Sequence, residues 1–184
     1  MQPVHDDLKR ILADFTSNEG ALYEVMGGLS EQQLNWRPEP RKSWSILQCA
    51  SHLALSNESY TGGIRSVLGK GGPRRTGPVR PSAPGAFFLK KVEPPVTKRL
   101  KAPPEIVPEP VLVKDSVLLA FARTHDQIRN LVDEIADLDL NRLKFRNPLM
   151  PFLRVRVGTA LLIMAAHERR HLWQAQRVRE GVQN

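Results

Sequence analysis

The sequence predicts an all-α protein, a four-helix bundle, on three observations. Apolar residues recur at three and four spacing in four long segments. No stretch alternates apolar and polar residues for a useful length. The segments are joined by proline- or glycine-marked connectors. At 184 residues the chain is long enough to bury a core within one domain, read as 1–184. No apolar run approaches the roughly 18 residues of a membrane span. The start, with His5, Asp6 and Asp7, lacks the basic-then-apolar order of a signal peptide. A single cysteine, Cys49, cannot form an intrachain disulfide, which suits a reducing cytoplasm.

The first helix is expected over 5–28. Leu8, Phe15, Leu22 and Leu29 repeat every seven residues with Leu12 and Met26 between them, and Gly27-Gly28 ends the run. Residues 30–42 read as a polar connector carrying Pro38 and Pro40. A second helix begins after Ser45, which forms a capping box with Gln48, while Trp44 can staple onto Cys49. Ile46, Cys49, Leu53, Tyr60, Ile64 and Val67 share one arc of that helix, with His52 on its edge.

Residues 69–113 are different in kind. They hold 10 of the 15 prolines, a density at which no helix is expected, and nine Lys or Arg against three Glu, so +6 of the net +8 falls there. This is read as a basic Pro-rich insertion, anchored by Phe87-Phe88-Leu89. It is expected to lie over the histidine-bearing end of the bundle. Forty-five residues are enough to recross a helix, so the flanking helices can run parallel.

A third helix follows over Asp115–Ala136 on the seam Leu118, Phe121, His125, Ile128, Val132 and Ile135. After a connector, 137–155, a fourth runs over Thr159–Arg179 with Ala160, Met164, His167, His171, Gln174 and Val178 inward.

His167-Glu168-Arg169-Arg170-His171 carries the chemistry. Histidines at i and i+4 lie one turn apart on one face and can reach a single metal ion. The same spacing marks zinc metalloproteases, whose third ligand lies downstream. Here 13 residues follow His171 and the acidic candidate among them, Glu180, is too close in sequence to fold back. The third ligand is therefore sought upstream, with His52 first. Three imidazoles suit zinc, nickel, iron or copper.

Trp36-Arg37-Pro38, Trp44-Ser45, His52-Leu53 and the C-terminal His-Glu-Arg-Arg-His occur in an order that resembles the DinB-like (DinB/YfiT-type) superfamily of metal-binding four-helix bundles. The resemblance covers nearly the whole chain. It implies an up-down-down-up topology, often a homodimer, and a divalent metal, zinc or nickel before iron, held by His52, His167 and His171. It also implies metal-dependent transferase chemistry with a low-molecular-weight thiol as co-substrate, or thiol-dependent isomerisation. The 69–113 segment departs from the family pattern, so the substrate is not carried over.

Other residues have plainer readings. His125 is read as a satisfied core or pocket histidine and Cys49 as a small apolar filler. Glu168, about 100° round the helix from His167, is read as a surface residue or a partner of the site and not as a base. Gln174, Ser56 and Tyr60 face inward and can line a pocket or the core. The expected function is a metal-dependent enzyme whose three-histidine site activates a thiol or water, as a thiol transferase or a hydrolase acting on a small molecule. The alternatives are a non-catalytic metal-binding bundle, and a binder of nucleic acid or an acidic partner through 69–113. Sequence-specific nucleic-acid binding is not expected, because the charge sits in a proline-rich strand and not on a groove-reading helix.

Overall fold

Four long helices carry the structure. α1 (Asp6–Met26) opens with Asp6 and Asp7 in its first turn, where carboxylates oppose the positive end of the helix dipole. It closes before Gly28, whose φ of 74° is open to glycine at no steric cost. α2 (Glu31–Asn35) is a single capped turn. α3 (Ile46–Arg65) starts at the expected Ser45–Gln48 capping box. α4 (Ala83–Val92), α5 (Lys114–Ile135) and α6 (Val157–Val182) follow, with a hairpin of β1 (Lys144–Arg146) and β2 (Arg154–Arg156) before α6. The computed structural model describes residues 5–39, 42–96 and 101–182; Pro40, Lys98 and Arg99 lie outside the described residues. Among those described, no helix is long and apolar enough to cross a membrane.

α3 packs on α5 and α6, and α1 on α6 and α5. Leu8, Phe15, Leu22, Leu29, Phe121, Ile128, Val132 and Ile135 are all buried, as the seams require. The apolar core falls into two clusters. One gathers Leu8, Ile11, Phe15, Ile64, Ile128 and Met164. The other gathers Leu22, Met26, Leu34, Leu53, Phe121 and Leu172. Each long helix contributes one residue to a buried hydrogen-bonded polar group: Asn18, Asn57, His125 and Glu168. Arg65 of α3 meets Glu134 of α5 at 3.0 Å, and Arg179 of α6 donates to the carbonyls of Val25 (2.6 Å) and Gly27 (2.8 Å) at the end of α1.

Four expectations are corrected. The connector 30–42 contains α2, because Ser30 and Gln33 form a second reciprocal capping box. The insertion contains α4, a ten-residue helix. Its prolines are not evenly spread: Pro84 occupies the first turn, where its missing N–H costs nothing, and the next is Pro94. The connector 137–155 contains the hairpin, whose three-residue strands are too short to show alternation. Nor is Phe87-Phe88-Leu89 the anchor of the insertion. Phe87 is 63% and Phe88 37% exposed, whereas Val92 and Ile106 are each 2% exposed.

The insertion is tied along the bundle. Arg75 bonds Asp7 of α1, whose carboxylate also accepts from the Val79 amide at 2.6 Å. α4 lies on α6 so closely that a Cβ at Gly85 would come 2.3 Å from Thr159 Cγ2. Beyond it, a 3-10 turn (Pro104–Ile106) packs on α3, and Gln48 donates to the Glu109 carbonyl at 3.0 Å.

Candidate metal centre and its cavity

The capping box at Ser45 fixes where α3 begins, and so sets His52 on its second turn, 2% exposed. His52 Nδ1 lies 2.7 Å from the Ile106 carbonyl oxygen. That oxygen only accepts, so the proton sits on Nδ1 and Nε2 presents its lone pair. On α6, His171 Nδ1 lies 3.1 Å from Gln174 Oε1, one turn further on. As donor to that oxygen it leaves its own Nε2 free to bind. His167 lies between them, its Nε2 3.2 Å from His52 Nε2 and 3.1 Å from His171 Nε2.

The three ligand atoms lie within 4.8 Å of one another and can hold a metal ion. Zinc–nitrogen bonds of 2.0–2.1 Å at tetrahedral angles place nitrogens about 3.3 Å apart, which matches the two measured separations. A single N–H on His167 serves one of the facing lone pairs well, not both. A cation at the common focus satisfies all three nitrogens, so the donor set fits the ion the sequence suggests. The Ile106 carbonyl and Gln174 then act as the outer partners that set imidazole orientation.

Burial keeps these rings neutral. Desolvation lowers His52, against the hydrogen bond to Ile106 that would raise it. Desolvation, then the His52 ring and the Arg170 guanidinium, bring His167 down to about 3. His171 is held well below the ordinary imidazole value by burial, followed by His167, His52 and Arg170, with the Gln174 bond opposing. Neutral imidazole is the form that binds metal.

Trp44 packs against two of the rings. Its ring centroid is 4.7 Å from that of His52 and 5.6 Å from that of His171, stacked on the latter. The imidazoles open into a cavity of about 970 Å³, which Trp44 also lines. Its walls include Ser56 and Tyr60 of α3, Arg170 and Gln174 of α6, and Phe88, Lys101 and Ile106 of the insertion. The insertion therefore supplies both a wall of the cavity and the acceptor for His52. Nothing in the 69–113 composition marks Ile106; only its apolar character among prolines hints at a buried contact.

The remaining candidates divide. Cys49 is 1% exposed and outside the histidine group, and burial pushes its thiol up to about 12, so it is an inert filler. Tyr60 accepts from Asn147 Nδ2 at 3.1 Å, and burial raises its hydroxyl against that bond. Glu180 is exposed and lies outside the group. The expectation that Glu168 lies at the surface or beside the site is corrected: it is fully buried and outside the histidine group. Its Oε1 accepts from Asn57 Nδ2 (2.8 Å) and His125 Nε2 (3.0 Å), and its Oε2 from Asn18 Nδ2 (3.0 Å). His125 is accordingly the core histidine expected, partnered with Glu168 and not with the metal site. A polar stripe at one level of all four helices was the signal, with each member too ordinary alone to reveal it.

No curated protein and no solved structure matches the chain. The family profile described as DinB superfamily matches residues 14–175, nearly the whole length. The chain belongs to the DinB superfamily.

Proposed function

We propose that this protein is a metal-dependent enzyme in which His52, His167 and His171 hold one divalent ion at the wall of a substrate cavity. The observation that carries the reading is the convergence of three Nε2 atoms, with the outer nitrogens of His52 and His171 committed to Ile106 and Gln174, beside a cavity large enough for a substrate and a small thiol. When bound, such an ion lowers the pKa of a coordinated thiol or water and yields a nucleophile at neutral pH. The chain's own contributions are separate: Ile106 and Gln174 orient the rings, Trp44 forms an apolar wall beside two of them, and the insertion covers the cavity. Thiol transfer is placed before hydrolysis on family grounds, with zinc or nickel before iron.

The long helices are read as up-down-down-up, supported by the Arg65–Glu134 and Arg179–Val25 contacts. The chain 1–184 is read as one domain with 69–113 as an insertion, and as a homodimer by family resemblance. A non-catalytic metal-binding bundle is the second reading. It requires a saturated ion, and among the described residues no fourth His, Cys, Asp or Glu joins the group.

The test is metal analysis of protein purified without nickel resin, followed by a screen of electrophiles with and without low-molecular-weight thiols. About one ion per chain and thiol-dependent turnover are expected. Metal-free protein that takes up no zinc or nickel on dialysis overturns the reading.

A further inference from the structure

The cavity wall is electrostatically one-sided. Its described side chains that carry a formal charge, the histidines aside, are Lys42, Lys101, Arg170 and Arg177 against Glu39, and Glu39 lies 3.4 Å from Lys42. With the imidazoles neutral, the lining carries a formal excess of three positive charges. The rest is largely apolar, from Trp44, Phe88, Val92, Met150, Met164 and Trp173.

The cations are also placed in order along the helix that bears two of the histidines. His167, Arg170, His171, Gln174 and Arg177 recur at three and four spacing, so one face of α6 presents ligands and cations together. Arg170 is 7% exposed, next to His171, and donates to the Lys91 carbonyl at 3.3 Å. Its charge is felt at both His167 and His171. Arg177 is held against the Trp173 ring, 5.2 Å from its centroid, near the cavity mouth. Six residues separate it from His171, about 9 Å along the axis. Lys101 stands on the wall formed by the insertion. A buried cation in a cavity with apolar walls strengthens its attraction for an opposite charge, since little water screens it.

We propose that the cavity takes an organic carboxylate: an apolar body against the Trp44 and Phe88 walls, with its carboxylate directed to Arg170, Arg177 and Lys101. Guanidinium groups match carboxylates by their planar fork of donors. The inference rests on reading this cavity as the substrate site.

The test uses 4-phenylbutyrate and its uncharged isostere 4-phenylbutanamide, titrated calorimetrically into the full chain in its metal-loaded and chelator-treated forms. The acid is expected to bind at least about tenfold more tightly, the scale of one charge-assisted hydrogen bond. The preference should persist without metal. It should collapse in R170Q, or in the R177Q/K101Q double variant, whose exposed side chains leave the fold and metal content intact. Equal affinities for acid and amide overturn the proposal. So does a preference that survives both charge variants and disappears with the metal, because the carboxylate is then a metal ligand only. Protein that binds no metal yet keeps the charge-variant-sensitive preference refutes the metal reading and upholds this one.

Discussion

Replacing Glu168 by Gln tests how the polar layer holds the bundle without touching the ligands. The carboxylate accepts from Asn18, Asn57 and His125, one donor from each of the other three long helices. It has no exposed surface, so no water takes over a lost bond. Glutamine keeps the shape and one oxygen, but its amide must turn an N–H towards at least one of these donors. An unsatisfied buried donor costs about 1–3 kcal/mol, and the bonds that remain lose their ionic acceptor. The expected loss is about 1–3 kcal/mol, and for a domain of this size each kcal/mol lowers Tm by about 2–4 °C. Urea and thermal unfolding, followed by circular dichroism on chelator-treated protein, should show it. Metal content measured at 10 °C, where both proteins are folded, should be unchanged, since Glu168 bonds Asn18, Asn57 and His125 and is outside the three-histidine group. A stability change below about 0.5 kcal/mol refutes the claim that the layer carries bundle stability. Loss of metal from the folded variant refutes the separation of layer and site. A double-mutant cycle with His125→Asn isolates the direct pair.

Other outcomes follow from single contacts. His52→Ala should lower metal content about as severely as His171→Ala, measured by elemental analysis, while Glu180→Ala should leave it unchanged; a full-metal His52→Ala protein sinks the three-histidine site. Gly85→Ala should cost about 1–3 kcal/mol by overpacking against Thr159, read from urea midpoints; a neutral change means α4 lies further from α6. Metal-free protein should lose stability as pH falls below about 6.5, because the unfolded chain then binds protons that the three buried imidazoles refuse. The slope is at most about 1.4 kcal/mol per pH unit for each histidine, and for His167 it extends towards about 3. His167→Asn should flatten it, and an unaltered slope counts against the burial argument. Discrimination between matched and scrambled DNA duplexes should stay below about a hundredfold at physiological salt, and a larger ratio restores the nucleic-acid reading.

What could be read from the sequence was whatever repeats. The heptad-like seams and the paired histidines are periodic, and periodicity survives without coordinates. His52 was sought upstream because nothing suitable follows His171, and the His52-Leu53 order of the family resemblance pointed to it. Glu168, by contrast, was misplaced. Its angular offset from His167 is right, but in a bundle a residue turned from the ligand face still meets other helices, here through Asn18, Asn57 and His125. The insertion misled through averaging: ten prolines over 45 residues hide the proline-free stretch 85–93 that lets α4 form. Ile106 offered no pattern at all, because its contribution is a backbone carbonyl, which every residue has.

The same averaging explains why the basic segment looked like a polyanion-binding strand. Its charge is a sum over residues that do unlike things. Arg75 is drawn to Asp7, whose carboxyl is held below its usual range because the Val79 amide and Arg75 outweigh the desolvation that would raise it. Lys91 Nζ lies 4.3 Å from the Phe87 ring centroid, and Lys101 stands on the cavity wall. Counterion release from a duplex requires cations presented together along one surface. Here one of them is spent holding the insertion to α1, one covers an aromatic ring and another faces the site. A long insertion costs little loop entropy per added residue, so it can be kept for what its ends deliver: Arg75 at the base of the bundle and the Ile106 carbonyl at His52. The net charge of +8 is thus better understood as the residue of tying down a cover over the three-histidine cavity than as a footprint for nucleic acid.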